Sequence, residues 1–168
     1  NSVQAGITIT IQATENAVYG SYGVNLKCRD KDNSDPEGTK QTLELTVNVN
    51  EKSAVSLNIA ESGSTEGSID IDGETTYQVE INNDGNKEDT FSLSISSNSW
   101  DASFEDDSIT IAAFSNQIVT LTVESENEAE YGDSDDLTVI ATSGNDGSVN
   151  GNLDITTYVR VLYGIDLT

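Results

Sequence analysis

Apolar and polar residues alternate one for one along most of this chain, and that period of two limits its folds more than any other feature. Successive side chains of a strand point to opposite faces, so strict alternation marks a ribbon with one face buried. Val55, Leu57 and Ile59 share a face, as do Tyr77, Val79 and Ile81, then Phe91, Leu93 and Ile95. Ile109 and Ile111 follow, then Val119, Leu121 and Val123, then Leu137, Val139 and Ala141. Leu153, Ile155, Thr157, Val159 and Val161 complete the series, so seven strands are expected between residues 54 and 162. Turn clusters such as SGSTEG, NNDGN and SGNDGSVNG separate them. No stretch carries a helical period. Seven short strands over about 110 residues predict an all-β chain with an immunoglobulin-like seven-stranded β-sandwich.

The pattern occurs more than once. ITITIQATENAVYG at 7–20 is echoed by VTLTVESENEAEYG at 119–132. Ile7, Ile9 and Ile11 repeat the fifth strand, Val24, Leu26 and Cys28 the sixth, and Leu43, Leu45, Val47 and Val49 the seventh. YGIDLT at 163–168 matches AVSLNI at 54–59, the first strand. Periodic self-similarity of this length argues for modules in tandem. The expected organisation is the last three strands of one module in 1–52, a complete module in 53–162, and the first strand of a third in 163–168. The 168 residues then read as a window on a longer repetitive chain. The junction VNVNEK to SAVSLNI holds neither Pro nor a Gly/Ser tract, so a stiff array is expected rather than beads on a string.

Charge narrows the partners. The net charge is −23, which disfavours nucleic acid and anionic membrane surfaces. It is unevenly placed: residues 1–52 hold seven acidic and five basic side chains, while 53–162 hold 22 acids against Lys87 and Arg160. No apolar run is long enough to span a bilayer. Cys28 is the single cysteine, so no internal disulfide forms, and there is no N-x-S/T acceptor for glycosylation.

The stretch from Tyr77 to Ser143 carries further pieces: an N-x-G-N turn at Asn83–Asn86, Asp89-Thr90-Phe91 opening a strand, Trp100 to Phe104, and Val119 to Val123. In this it resembles the NEW3 and CARDB-like families of prokaryotic immunoglobulin-like repeats, well over 54–162 and partly over 5–50. The resemblance implies a spacer, adhesive or surface-layer module of a secreted protein, also found beside glycosidase domains, and no catalysis. The chain departs from the family pattern before Val119, where a turn of Pro-Gly character is replaced by AAFSNQ.

Few residues suggest chemistry. Without histidine there is no Ser-His-Asp or Cys-His arrangement and no histidine-bound zinc. The acidic run 124–136 is absent from its counterpart at 12–24, which keeps Tyr-Gly but only Glu15, so it reads as a solvated surface or a cation-binding edge. Calcium takes six to eight oxygen ligands. Asp30, Asp32, Asp35 and Glu37 crowd one loop and are the first calcium candidate; Asp70, Asp72 and Glu74 are the second, with Asp70 and Asp72 expected on one side of a strand. No cofactor is required by any motif. Tyr19 and Tyr131 sit where sandwiches place a tyrosine corner. Trp100 reads as packing rather than a ligand platform, and Cys28 as an inward-facing small hydrophobe.

The sequence therefore predicts a non-enzymatic structural module of an extracellular or cell-surface protein: a stalk, filament or surface-layer (S-layer) component. Its partners would be neighbouring repeats or copies of itself. The alternative is an adhesin or carbohydrate-binding accessory module. The half-module at 5–50 is expected to expose apolar strand faces unless other strands complete it.

Overall fold

The computed structural model describes residues 6–28, 41–60, 63–126 and 128–160. The chain divides into two compact units, Asn1–Glu51 and Lys52–Thr168. Among the described residues every regular element is a strand, and no helix is long and apolar enough to cross a membrane.

The first unit holds β1 (Gly20–Cys28) and β2 (Gln41–Val49), a two-stranded antiparallel sheet. Val24 lies opposite Leu45, and Leu26 opposite Leu43. Ile7, Ile9 and Ile11, expected as a strand, join no ladder. Their sequence is strand-like, but a strand needs a hydrogen-bonded neighbour, and the described residues of this unit supply none.

The described residues of the second unit form nine strands: β3 (Val55–Ile59), β4 (Glu66–Ile69), β5 (Glu74–Asn83), β6 (Asp89–Ser96), β7 (Asp101–Phe104), β8 (Ser108–Ile111), β9 (Ser115–Glu124), β10 (Ser134–Ser143) and β11 (Asn150–Val159). They form a four-stranded sheet, β3-β5-β9-β7, and a five-stranded sheet, β4-β11-β10-β6-β8. This is the immunoglobulin-like sandwich expected, with two strands more than the seven read from alternation. Both additions, β4 and β7, are four-residue edge strands with only two inward positions each, too few to display a period. The first strand of the fold is split. β3 runs antiparallel on β5, and after a crossing β4 runs parallel on β11 in the other sheet. Strands that change sheets in this way tie the two layers together.

The inner faces fill the core as the alternation requires. Val79, Ile81, Phe91, Leu121, Val123, Val139 and Ala141 are fully buried. Each large aliphatic or aromatic side chain taken from water contributes roughly 1.5–3 kcal/mol. Trp100, at 5% exposure, belongs to this core.

Buried polar groups pin the loops. Asn83 donates through Nδ2 to the carbonyls of Lys87 and Ile111, both at 2.9 Å, and its Oδ1 accepts from the Gly85 N–H at 2.9 Å. Asn86 Oδ1 accepts from the Lys52 N–H at 2.8 Å, fastening the start of the unit. Buried Asp89 accepts from the Gly144 and Asn145 N–H groups at 3.1 and 3.0 Å and from the Ser143 hydroxyl. No buried side-chain nitrogen or oxygen among the described residues lacks a partner, as a low-dielectric interior demands. The N-x-G-N and Asp-Thr-Phe pieces are thus architectural.

The AAFSNQ turn places Phe114 at φ 55°, a conformation that is sterically costly for a bulky residue. Its N–H donates to the Gly85 carbonyl at 3.2 Å, which holds the turn against the Asn83–Asn86 loop.

Tyr77 crosses the sandwich, its hydroxyl 2.6 Å from that of Thr157. Burial pushes its pKa up, partly opposed by the Thr157 hydrogen bond. A β-carbon at Gly67 would stand 2.3 Å from the Tyr77 Oη. Gly67→Ala is therefore expected to destabilise the second unit by about 1–3 kcal/mol, since overpacking shifts both strand and ring. Gly147→Ala, whose β-carbon would meet nothing within 4 Å, should stay within about 0.5 kcal/mol. Denaturant melts of the two variants measure the contrast.

Candidate interface: the open face of the N-terminal hairpin

The hairpin of the first unit is the last hairpin of the second unit, repeated. Leu137 lies opposite Ile155 and Val139 opposite Leu153, just as Val24 lies opposite Leu45 and Leu26 opposite Leu43. In the second unit this face is sealed: Leu137, Val139 and Ile155 are at most 2% exposed. In the first unit Val24, Leu26, Leu45, Val47 and Val49 are only half-buried, and Leu43 is 57% exposed. The same chemistry is covered once and left open once.

The open face forms a groove of about 420 Å³ lined by Ile11, Val18, Tyr22, Val24, Val47 and Val49, among others. Ile7 and Ile9 add 82% and 52% exposed side chains beside it in sequence. Clustered exposed apolar residues of this kind mark an interaction surface.

Several residues take other roles than the sequence suggested. Cys28, expected buried, is exposed: the described residues of the first unit form one two-stranded sheet and supply no second layer of their own. Tyr19 and Tyr131 are 47% and 54% exposed. Tyr22 makes a hydroxyl-to-upstream-backbone bond of the tyrosine-corner kind, donating to the Val18 carbonyl at 2.8 Å. What the two Tyr-Gly pairs share is the glycine: Gly20 and Gly132 both have positive φ, 152° and 97°, at the entry to the hairpin.

The acidic run is not uniformly solvent-facing. Asp135 is buried, and its two carboxylate oxygens accept from the Ser99 N–H at 2.7 Å and the Trp100 N–H at 3.2 Å. It fixes the backbone that delivers Trp100 to the core. Asp133 accepts from the Glu130 N–H at 2.8 Å and Asp136 from the Thr156 hydroxyl at 2.7 Å. Position within the strand, not composition, would have singled out Asp135: it shares the inward face of Leu137 and Val139.

Of the calcium candidates, Asp30, Asp32, Asp35 and Glu37 lie outside the described residues. Asp70, Asp72 and Glu74 are not brought together. The strand ends at Ile69, and Asp70–Gly73 form a turn closed by the Gly73 N–H on the Asp70 carbonyl, with Asp72 at φ 55°. Asp70 instead takes both guanidinium bonds of Arg160, at 2.7 and 3.1 Å. Among the described residues no three His, Cys, Asp or Glu side chains form a metal-binding group. Glu74 starts β5 directly opposite Glu124, which in turn faces Asp101 on β7, a row of three like charges on the outer face.

No protein-family model matches the chain, so the resemblance to NEW3 and CARDB-like repeats gains no support there, and no curated protein is similar to it. Solved structures are similar in fold. The ASH/PapD-like domain of human CEP192 shares 10% identity over 67% of this chain and 87% of that one, with a TM-score of 0.44. A FixG-related protein from Vibrio parahaemolyticus shares 10% identity over 65% and 97%, with a TM-score of 0.48. Domains 4 and 5 of the S-layer protein SbsC share 15% identity over 86% and 60%, with a TM-score of 0.45. At these values the likeness is one of outline and carries no function across.

Two substitutions check the acidic assignments by thermal melts. Asp135→Asn turns a carboxylate oxygen into a donor facing an N–H and should cost roughly 1–3 kcal/mol. Glu124→Gln relieves both cross-strand repulsions and should gain about half a kcal/mol at low ionic strength, the gain fading as salt is added.

Proposed function

We propose that this chain is part of a structural array: immunoglobulin-like modules in tandem, serving as a stalk, filament or surface-layer component outside the cell. The supporting observation is the second hairpin of like pattern, with apolar pairs facing each other at corresponding positions and one copy left half-exposed. A tandem module buries such a face against the rest of its own fold, so the open copy is the end of a module rather than a separate domain.

The role is non-catalytic and needs no cofactor. It rests on shape, burial and charge, and the sequence offers no histidine for acid–base or nucleophilic work. Calcium at the Asp30–Glu37 loop would be an accessory to this role. The outer faces carry Glu74, Glu124 and Asp101 in a row, a self-repelling surface suited to a crowded layer of like copies. The carbohydrate-binding alternative has lost its best platform, since Trp100 is enclosed in the core.

Location is the direct test. Antibody raised against the second unit should label intact, unpermeabilised cells and follow the envelope fraction, at the size of a polypeptide containing further repeats. Recovery in the soluble cytosolic fraction would sink the proposal.

A further inference from the structure

We infer that the open face of the first unit accepts one extended strand of the β5 type, supplied by polypeptide outside these 168 residues. The strand would hydrogen-bond to residues 7–12 and press a row of alternate apolar side chains onto Val24, Val47 and Val49. The inference rests on reading the first unit as part of a repeat module.

The second unit shows what is missing. There β9 is flanked by β5 along its whole length, Glu74 to Asn83 against Ser115 to Glu124, and by β7. Residues 7–12, ITITIQ, repeat the sequence pattern of β9 but pair with nothing described. A segment of strand-like sequence that joins no ladder, beside an apolar groove, is what strand addition completes: main-chain bonds give affinity, and pockets for alternate side chains give selectivity. Charge does not oppose it: residues 1–52, with seven acidic and five basic side chains, are close to neutral beside the strongly acidic residues 53–162.

A second copy cannot donate its own β5. Val79 and Ile81 are fully buried between β3 and β9, so release would dismantle the second unit. The occupant is therefore a strand of repeat sequence that is not already folded into a sandwich.

The groove also specifies one side chain. In the second unit Tyr77 reaches across to Thr157, hydroxyl to hydroxyl. Thr157 lies two residues beyond Ile155, opposite Asp135; its counterpart in the first hairpin is Val47, opposite Tyr22. Valine offers a phenol no hydroxyl, leaving at most a long main-chain contact of the kind Tyr77 makes to the Thr156 carbonyl at 3.4 Å. The fitting strand thus carries Phe, Leu or Ile where β5 carries Tyr77.

Synthetic peptides test this on the 168-residue chain. The probes are TTYQVEINN, the sequence of residues 75–83, the same peptide with Tyr77→Phe, and a control with the alternation shifted by one residue. Fluorescence anisotropy reads affinity and hydrogen exchange reads residues 7–12. Both alternating peptides are expected to bind saturably and protect 7–12, with the Phe peptide about tenfold tighter, the ratio for one buried unpaired hydroxyl. Val47→Asp should abolish binding. Ile11→Asp, outside any strand and thus no threat to the hairpin, should weaken it at least tenfold. Ile118→Asp, on the outer face of β9, should leave it unchanged. Equal binding of the shifted peptide, a tighter Tyr peptide, or no binding overturns the inference. So does concentration-dependent self-association relieved by Val47→Asp, which would make a second copy the occupant. If β1 and β2 themselves exchange freely, the module reading fails; a protected hairpin that ignores the peptides overturns this inference alone.

Discussion

A β-sheet with one apolar face cannot remain uncovered in water, and everything distinctive in this chain follows from how that demand is met. The second unit meets it by laying four strands over five. The split first strand, half in each sheet, lets a single stretch of chain close both layers. The first unit presents the same kind of face with no second layer among its described residues. The two hairpins are alike in register and in the apolar character of their facing pairs but differ in burial: Leu137 and Val139 are at most 2% exposed, whereas Leu43 is 57% exposed.

Burial of aliphatic faces is unspecific in register, so the sandwich needs other devices to fix its loops. Asn83, Asn86, Asp89 and Asp135 supply them. Each is buried, each is hydrogen-bonded to backbone N–H or carbonyl groups, and each sits at or near the end of a strand. Buried groups of this kind do not add much net stability, since their desolvation offsets much of the bond energy. Their contribution is selectivity, because a wrong loop would leave a carboxylate or amide unpaired in a dry interior. The motif that ties this chain in appearance to a family of repeats is composed largely of such residues. It therefore reports on architecture and says little about activity.

The alternation of Tyr77, Val79 and Ile81, or of Leu137, Val139 and Ala141, made the long central strands legible in the sequence. The short edge strands β4 and β7 were not legible, because two inward residues make no pattern. Residues 7–12 failed in the opposite sense. Their alternation is faultless, yet a strand exists only beside a partner, and partnership is a property of the fold around it. Cys28 was misjudged for the same reason: alternation says which way a side chain points and cannot say whether anything waits there. Asp135 was hidden by its neighbours, six acids that conceal one with a structural duty. The periodicity that identifies Leu137 as inward assigns Asp135 inward too, two residues earlier, and the charge of the surrounding run outweighed that geometric reading.

Charge and burial are distributed by one logic. Apolar side chains occupy inner faces, and acids crowd the outer faces and turns of the complete unit, to the point of setting Glu74, Glu124 and Asp101 side by side at a cost in repulsion. The cost stays small because all three carboxylates remain in water, where screening weakens like-charge contacts. The same period of two that turns Tyr77, Val79 and Val123 inward turns Glu74 and Glu124 outward, so the row is a by-product of the patterning that builds the core. Asp89 and Asp135 are the exceptions, acids turned inward, and each is matched there by backbone N–H donors.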